Sequence, residues 1–308
     1  MTLSRNSLFV LFTILSLNTV IAQDSLQTVI AKNGDGIFSI LRNEGIDVVK
    51  YYAEFLDLNE NKIIKGSQLT VGEVYLIPDA PDSFKRRGIR IEMPDAKEIP
   101  IFKEELASLK IKDSTLNNTV FYVLTNTGSS AEEATRKLNE DTTIRMARKL
   151  LQSSARVYLL NSSANDSLGL IDFVSVVNKK FLKHRGSYQR LLVIDIEDIE
   201  LKSKTDVVVY HYAKSEEGKR FADNILNVLG KNTVKYKSPT DYSEVFEDPK
   251  NIAFAKNVLP TITFIALGAQ SDANKKTLKV TTNKKNIADL ITSGILSDYS
   301  NTDFEEDH

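Results

Sequence analysis

Residues 190–212 read RLLVIDIEDIELKSKTDVVVYHY, and the two apolar runs inside them decide the fold. Residues 191–196 are apolar at every position except Asp195, and 207–212 form a second such run after a polar stretch. A strand exposed on one face alternates apolar and polar residues. A run without alternation suits a strand covered on both faces, as in a parallel sheet between helical layers. Similar runs recur at 120–124 (VFYVL), 157–160 (VYLL) and 262–267 (ITFIAL). Helical periodicity fills the intervals: 131–151, 173–181, 216–229 and 284–296. Ser215 is placed to cap the third of these and Gly230 to end it. Strands alternating with helices predict an α/β fold, a mainly parallel sheet flanked by helices.

Composition narrows the chemistry. The chain has 308 residues, of which 42% are hydrophobic, enough for a sizeable core. Its 40 basic and 41 acidic residues leave a net charge of −1, so there is no general electrostatic basis for nucleic-acid binding. The absence of Cys excludes thiolate metal sites, cysteine nucleophiles and disulfides. Three histidines, His184, His211 and His308, are too few for a histidine-rich metal centre.

The N-terminus reads as an export signal. Arg5 precedes the apolar run LFVLFTILSL at 8–17, and Val20 and Ala22 suit the −3 and −1 positions of a cut before Gln23. The run is shorter than the roughly 20 residues needed to span a bilayer. No later segment is apolar enough to span a membrane, so the expected location is periplasmic or secreted.

Residues 28–78 predict a strand, two helices and a closing strand in about 50 residues. Thr28-Val29, Gly34-Asp35, Phe38-Ser39-Ile40, Leu58-Asn59 and Ile77-Pro78 make this segment resemble a LysM (lysin motif) domain. The resemblance implies a fold that binds N-acetylglucosamine-containing glycans, chiefly peptidoglycan. Its groove would be formed by Asp35, Gly36, Ile37 and Phe38 with Asn59, Asn61 and Ile63. Gly36 departs from the Thr or Ser usual in the family. Four prolines at 78, 81, 94 and 100 then suggest a stiff, exposed linker, with Lys85-Arg86-Arg87 as a solvated basic face.

The rest resembles zinc-dependent N-acetylmuramoyl-L-alanine amidases, which cut the amide between the glycan's lactyl group and the stem peptide. Four stretches carry the likeness in order: FYVLTNTGSS at 121–130, DTTIRMARKL at 141–150, 190–224, and NVLPTITFIALGAQSD at 257–272. The family's zinc is held by two His and one Glu, with a second Glu as general acid/base. Matched residue by residue, Thr127 (or Gly128 with a one-residue shift) stands at the first His and Asp195 at the second. Ala266 takes the place of the catalytic Glu. Glu133 and Glu140 lie near the ligand Glu without clean register.

The expectation is a catalytically degenerate member with no cofactor. An alternative is an active amidase with displaced ligands, a carboxylate site of Asp195, Glu197 and Glu140 holding a hard cation or zinc. A third reading is a regulator of an active amidase. The partners implied are peptidoglycan or muropeptide, and an active amidase or other envelope protein. The divisions read are a signal peptide at 1–22, a LysM-like module at 24–79, a linker at 80–100, an amidase-like domain at 101–300 and an acidic tail at 301–308. The signal predicts that mass spectrometry of the native protein finds Gln23 as the first residue; a chain that keeps Met1 and sediments with membranes contradicts it.

Overall fold

The computed structural model describes residues 26–91, 98–101, 109–125, 133–161, 170–196, 205–212, 214–229, 249–267, 278–280 and 287–301. The expected signal peptide and residues 302–308 of the expected tail lie outside them. The described residues form two compact units, 26–37 with 52–79, and 38–51 with 80–301.

The first unit holds a two-stranded antiparallel ribbon, β1 (Thr28–Ile30) and β2 (Val74–Leu76), with Thr28 opposite Leu76. Helices α1 (Ile37–Asn43) and α2 (Val48–Leu58) follow β1, each contributing residues to both units. The strand, helix, helix, strand order is the one the sequence predicts. Two strands alone are marginal in water, and here a side chain extends the ribbon. Asn59 donates from Nδ2 to the carbonyls of Phe55 (2.8 Å) and Leu76 (2.9 Å), and its Oδ1 accepts from Leu76 N at 2.7 Å. Tyr75, fully buried, stacks on Phe55 with ring centroids 6.1 Å apart, and its hydroxyl accepts from Thr70 N at 2.8 Å.

The second unit is built on eight strands in the order β10-β8-β9-β7-β5-β6-β3-β4. They are β3 (Gly88–Ile91), β4 (Ile99–Pro100), β5 (Thr119–Thr125), β6 (Arg156–Leu160), β7 (Tyr188–Ile196), β8 (Thr205–His211), β9 (Thr261–Leu267) and β10 (Leu278–Val280). From β3 to β9 the five neighbours β3, β6, β5, β7 and β9 run parallel; β4, β8 and β10 run antiparallel to theirs. The fold is therefore the mainly parallel α/β sheet expected.

Strand alternation sorts the core into two faces. Phe121, Val123, Leu192 and Ile194 point to one, where helices α4 (Glu133–Gln152), α6 (Glu216–Leu229) and α8 (Ile287–Ser300) supply Met146, Phe221 and Ile291. Val120, Tyr122, Leu191 and Val193 point to the other, under α5 (Val174–Lys183) and α7 (Pro249–Asn257), which supply Val177 and Phe254. Helix α6 starts where Ser215 predicts: its Oγ accepts from Gly218 N at 2.9 Å. A short helix, α3 (Phe84–Arg87), precedes β3.

The stretch 80–100 differs from the linker expected, because it carries α3, β3 and β4 and so belongs to the large sheet. Its prolines do not forbid this. Pro100 lies on the outermost strand, where its missing N–H leaves no neighbour unpaired.

Beneath the first face lies a polar knot. Asp298 on α8, 0% exposed, accepts from the Tyr188 hydroxyl (2.6 Å), Arg220 Nε (3.0 Å) and Asn224 Nδ2 (3.0 Å). Arg190 on β7, 1% exposed, donates from Nε to the Tyr188 hydroxyl at 2.9 Å, and its Nη2 lies 2.7 Å from Glu217 Oε1. Burial of the Tyr188 hydroxyl raises its pKa far above the usual value. Helices α6 and α8 approach closely at Gly294, where an added Cβ would stand 2.6 Å from the Cα of Ile225. Removing one partner of a buried ion pair leaves the other charge uncompensated, at a cost of about 3–5 kcal/mol. Asp298→Ala is expected to lower unfolding stability by about that amount in urea titration; a change below about 1 kcal/mol would show the knot to be dispensable.

Candidate functional site

In a sheet of parallel strands, ligands bind where the strands end at their C-termini. Strands β5, β7 and β9 end together, with Thr125 beside Ile194, and Asp195 beside Ala266. The two central positions matched to the amidase site thus come from neighbouring strands in direct register. Alternation turns Asp195 to the face of Leu191 and Val193. Ala266 packs against that same cluster. Thr125 turns to the opposite face, where its hydroxyl lies 3.2 Å from that of Thr143 on α4. Thr127, Gly128 and Glu197 lie outside the described residues.

Of the carboxylate alternative, the described members Asp195 and Glu140 are not brought together. Glu140 sits on α4, which covers the face that Asp195 turns away from. Its Oε1 is 3.7 Å from Arg90 Nη2 on β3, three strands from β7, about 14 Å at about 4.8 Å per strand. Glu133 is exposed, 3.6 Å from Arg136. Among the described residues no three His, Asp or Glu side chains stand together as a metal cluster.

Neither described histidine lies at this end. His211 is buried on β8 opposite Thr263, three residues back from Ala266 along β9, and its Nδ1 is 3.0 Å from the Tyr212 carbonyl. His184 follows α5, and its Nε2 is 2.7 Å from the Tyr158 hydroxyl. His308 lies outside the described residues. Zinc of the family's type draws on imidazole nitrogen and a carboxylate at about 2.0–2.2 Å. Of the described residues at this end, Asp195 offers one carboxylate and Ala266 no donor, which falls short of that set.

In the smaller segment, Asp35 Oδ2 accepts from Lys32 N at 2.8 Å and closes the turn before Gly36. Ile37 and Asn59 are buried at 3% and 2% exposure, and Asn59 is committed to β2 as described. Phe38 on α1 is 54% exposed, Asn61 is exposed and Ile63 half-buried. Of the seven residues expected to meet sugar, Ile37 and Asn59 therefore serve the fold.

No protein-family model matches the chain and no curated protein matches it. Among solved structures it is similar to the CwlD amidase from Clostridioides difficile, solved in complex with the GerS lipoprotein. That likeness has 15% identity and a TM-score of 0.37 over 58% of this chain and 98% of that one. It is also similar to the N-acetylmuramoyl-L-alanine amidase AmiC2 of Nostoc punctiforme, with 11% identity and a TM-score of 0.32 over 60% of this chain and 96% of that one.

His184 gives the molecule a measurable pH response. Burial first, then the positive charges of Arg156, Lys183 and Lys180, lowers its pKa to about 4. Between that value and the unfolded value of about 6.5, the unfolded chain binds the proton and the folded chain does not, so stability rises with pH. Its contribution is complete above pH 6.5 and is lost as pH falls toward 4. Denaturation midpoints measured across this window should fall less in His184→Gln than in the parent; equal slopes would refute the assignment.

Proposed function

We propose that this is an exported, peptidoglycan-associated protein whose larger unit is a catalytically inactive relative of N-acetylmuramoyl-L-alanine amidases. The observation that carries the reading is the β7–β9 register. Two positions matched separately, 71 residues apart in sequence, stand side by side as Asp195 and Ala266 where a parallel sheet presents its ligands. One residue has lost the imidazole and the other the proton shuttle. A metal-bound water needs both a well-formed ligand set and a base. Loss of the base alone costs about 10²–10⁴ in rate.

The segment containing β1 and β2 acts in this reading as a glycan-binding LysM-like module. Exposed Asn61 and the half-buried Asp35, Gly36 and Ile63 would meet the sugar. A contact that small gives modest affinity, because ordering costs absorb much of the interaction. Muropeptide, or an envelope protein such as an active amidase, is the partner expected of the larger unit. Among the described residues no helix is long and apolar enough to cross a membrane.

The test uses the purified mature chain. After dialysis against zinc, metal analysis should find less than one zinc per chain, a muropeptide-release assay should find no amide cleavage, and the protein should sediment with intact sacculi. Ala266→Glu alone should restore nothing, since Thr127→His and Asp195→His would be needed with it. One zinc per chain with amide cleavage would establish the active-enzyme alternative, and a protein left in the supernatant by sacculi would remove the glycan-binding role.

A further inference from the structure

At the opposite end of the sheet, where β5, β6 and β7 begin, lies a cleft of about 350 Å³. Arg87, Arg156, His184, Asn118, Ser154 and Ser187 line it, and among the described residues no carboxylate does. The volume falls at the small end of ligand pockets, about 300–1,000 Å³. Its wall is polar where such pockets are usually apolar, which selects a hydrophilic ligand.

The two guanidiniums are half-buried and come from different elements, Arg87 from α3 and Arg156 from the first position of β6. Each is anchored by a backbone carbonyl. Arg87 Nη1 donates to Ser154 O at 3.2 Å, and Arg156 Nη1 donates to the carbonyl of Arg86. A guanidinium carries five N–H donors, so this anchoring leaves others for the cleft. Among the described residues no carboxylate forms an ion pair with either arginine. Asp82, whose charge opposes the lowering of the Arg87 pKa, is itself tied to Lys50 and Tyr51. Glu98 pairs with Lys180, and Asp113 accepts from Thr115 N and Ser153 Oγ.

Like charges gathered in a half-buried place repel one another. Burial and the charge of Arg156 together pull the Arg87 pKa down. The floor is held in an unusual backbone shape: Asn118 (φ 61°) and Ser154 (φ 70°) both adopt the left-handed region. For a serine this conformation is unfavourable, because its Cβ crowds the following carbonyl oxygen. Side chains fix the arrangement, since Ser187 Oγ donates to Asn118 Oδ1 at 2.8 Å and Ser154 Oγ to the Asp113 carbonyl at 2.9 Å.

We propose that this cleft is a binding site for a phosphate-class oxyanion, gripped between the guanidiniums of Arg87 and Arg156. A carboxylate has two coplanar oxygens, which a single guanidinium fork already fills. Two forks from different elements call for a tetrahedral group whose oxygens point in several directions, and two positive charges match a dianion. Phosphate, a phosphomonoester or a diphosphate satisfies this, either free or as a lipid headgroup. The neutral His184 leaves the arginines as the charged ligands at pH 7.

The experiment measures melting of the full chain in chloride, acetate, phosphate and pyrophosphate at pH 7.5 and equal ionic strength. Phosphate and pyrophosphate should raise the midpoint saturably, and acetate should behave like chloride. Arg156→Gln and Arg87→Lys should each weaken phosphate binding at least about tenfold, the loss expected for one charge-assisted hydrogen bond. Melting in chloride shows whether each variant folds; if one does not, the other decides. Flotation with phosphatidylglycerol vesicles, captured by the parent but not by the variants, places the phosphate on a lipid, and a phosphate shift without capture places it on a soluble ligand. An equal shift with acetate, or a shift that survives in a folded variant, overturns the proposal.

Discussion

Asp298 brings a carboxylate into a place closed to solvent, and the larger unit is arranged around the need to answer it. Its two oxygens accept from β7 and from two successive turns of α6, so one carboxylate ties a central strand to both helices above it. Arg190 makes the same demand from the strand side, since a guanidinium 1% exposed beneath a helical layer cannot remain without partners. Each charge is tolerable because the other elements arrive in one position only. Gly294 lets α8 come close enough for Asp298 to reach them. An apolar substitute of equal volume could hold the layers together but would fix their orientation less narrowly.

The strands were legible because burial on both faces leaves an unbroken apolar run. The start of α6 was legible because Ser215 carries its own cap chemistry. Helix α7 is absent from the sequence reading, although Pro249 at its first position is a common opening for a helix. The knot was invisible for a different reason. Tyr188 and Asp298 are 110 residues apart, and neither has a local pattern that calls for the other. The linker reading rests on the prolines, and the Gly88-Ile89-Arg90-Ile91 tetrapeptide plays no part in it. That tetrapeptide is too short to stand out until β6 is there to pair with it.

The same contrast divides the candidate sites. Asp195 and Ala266 could be placed from sequence because each ends an apolar strand, and strand ends of a parallel sheet converge. Glu140 could not, because a position within a helix does not say which face of the sheet the helix will cover. Lys85-Arg86-Arg87 read as a solvated run, yet its third member turns inward to the carbonyl of Ser154. Arg156, at the first position of an apolar strand, is the signal that could have found the cleft, together with the Asn117-Asn118 pair that opens β5.

The placing of the shortest strands has a consequence for how copies of this chain tolerate crowding. Among the described residues the long apolar strands β5, β7 and β9 are all interior, while the outermost strands of the sheet are β4, two residues with a proline, and β10, three residues. A rim that short offers few free backbone groups to another molecule, and a proline removes one of the donors it would need. Along β4 and β10 the sheet therefore offers little template for strand addition between molecules, although its interior strands are of the kind that would aggregate if left open.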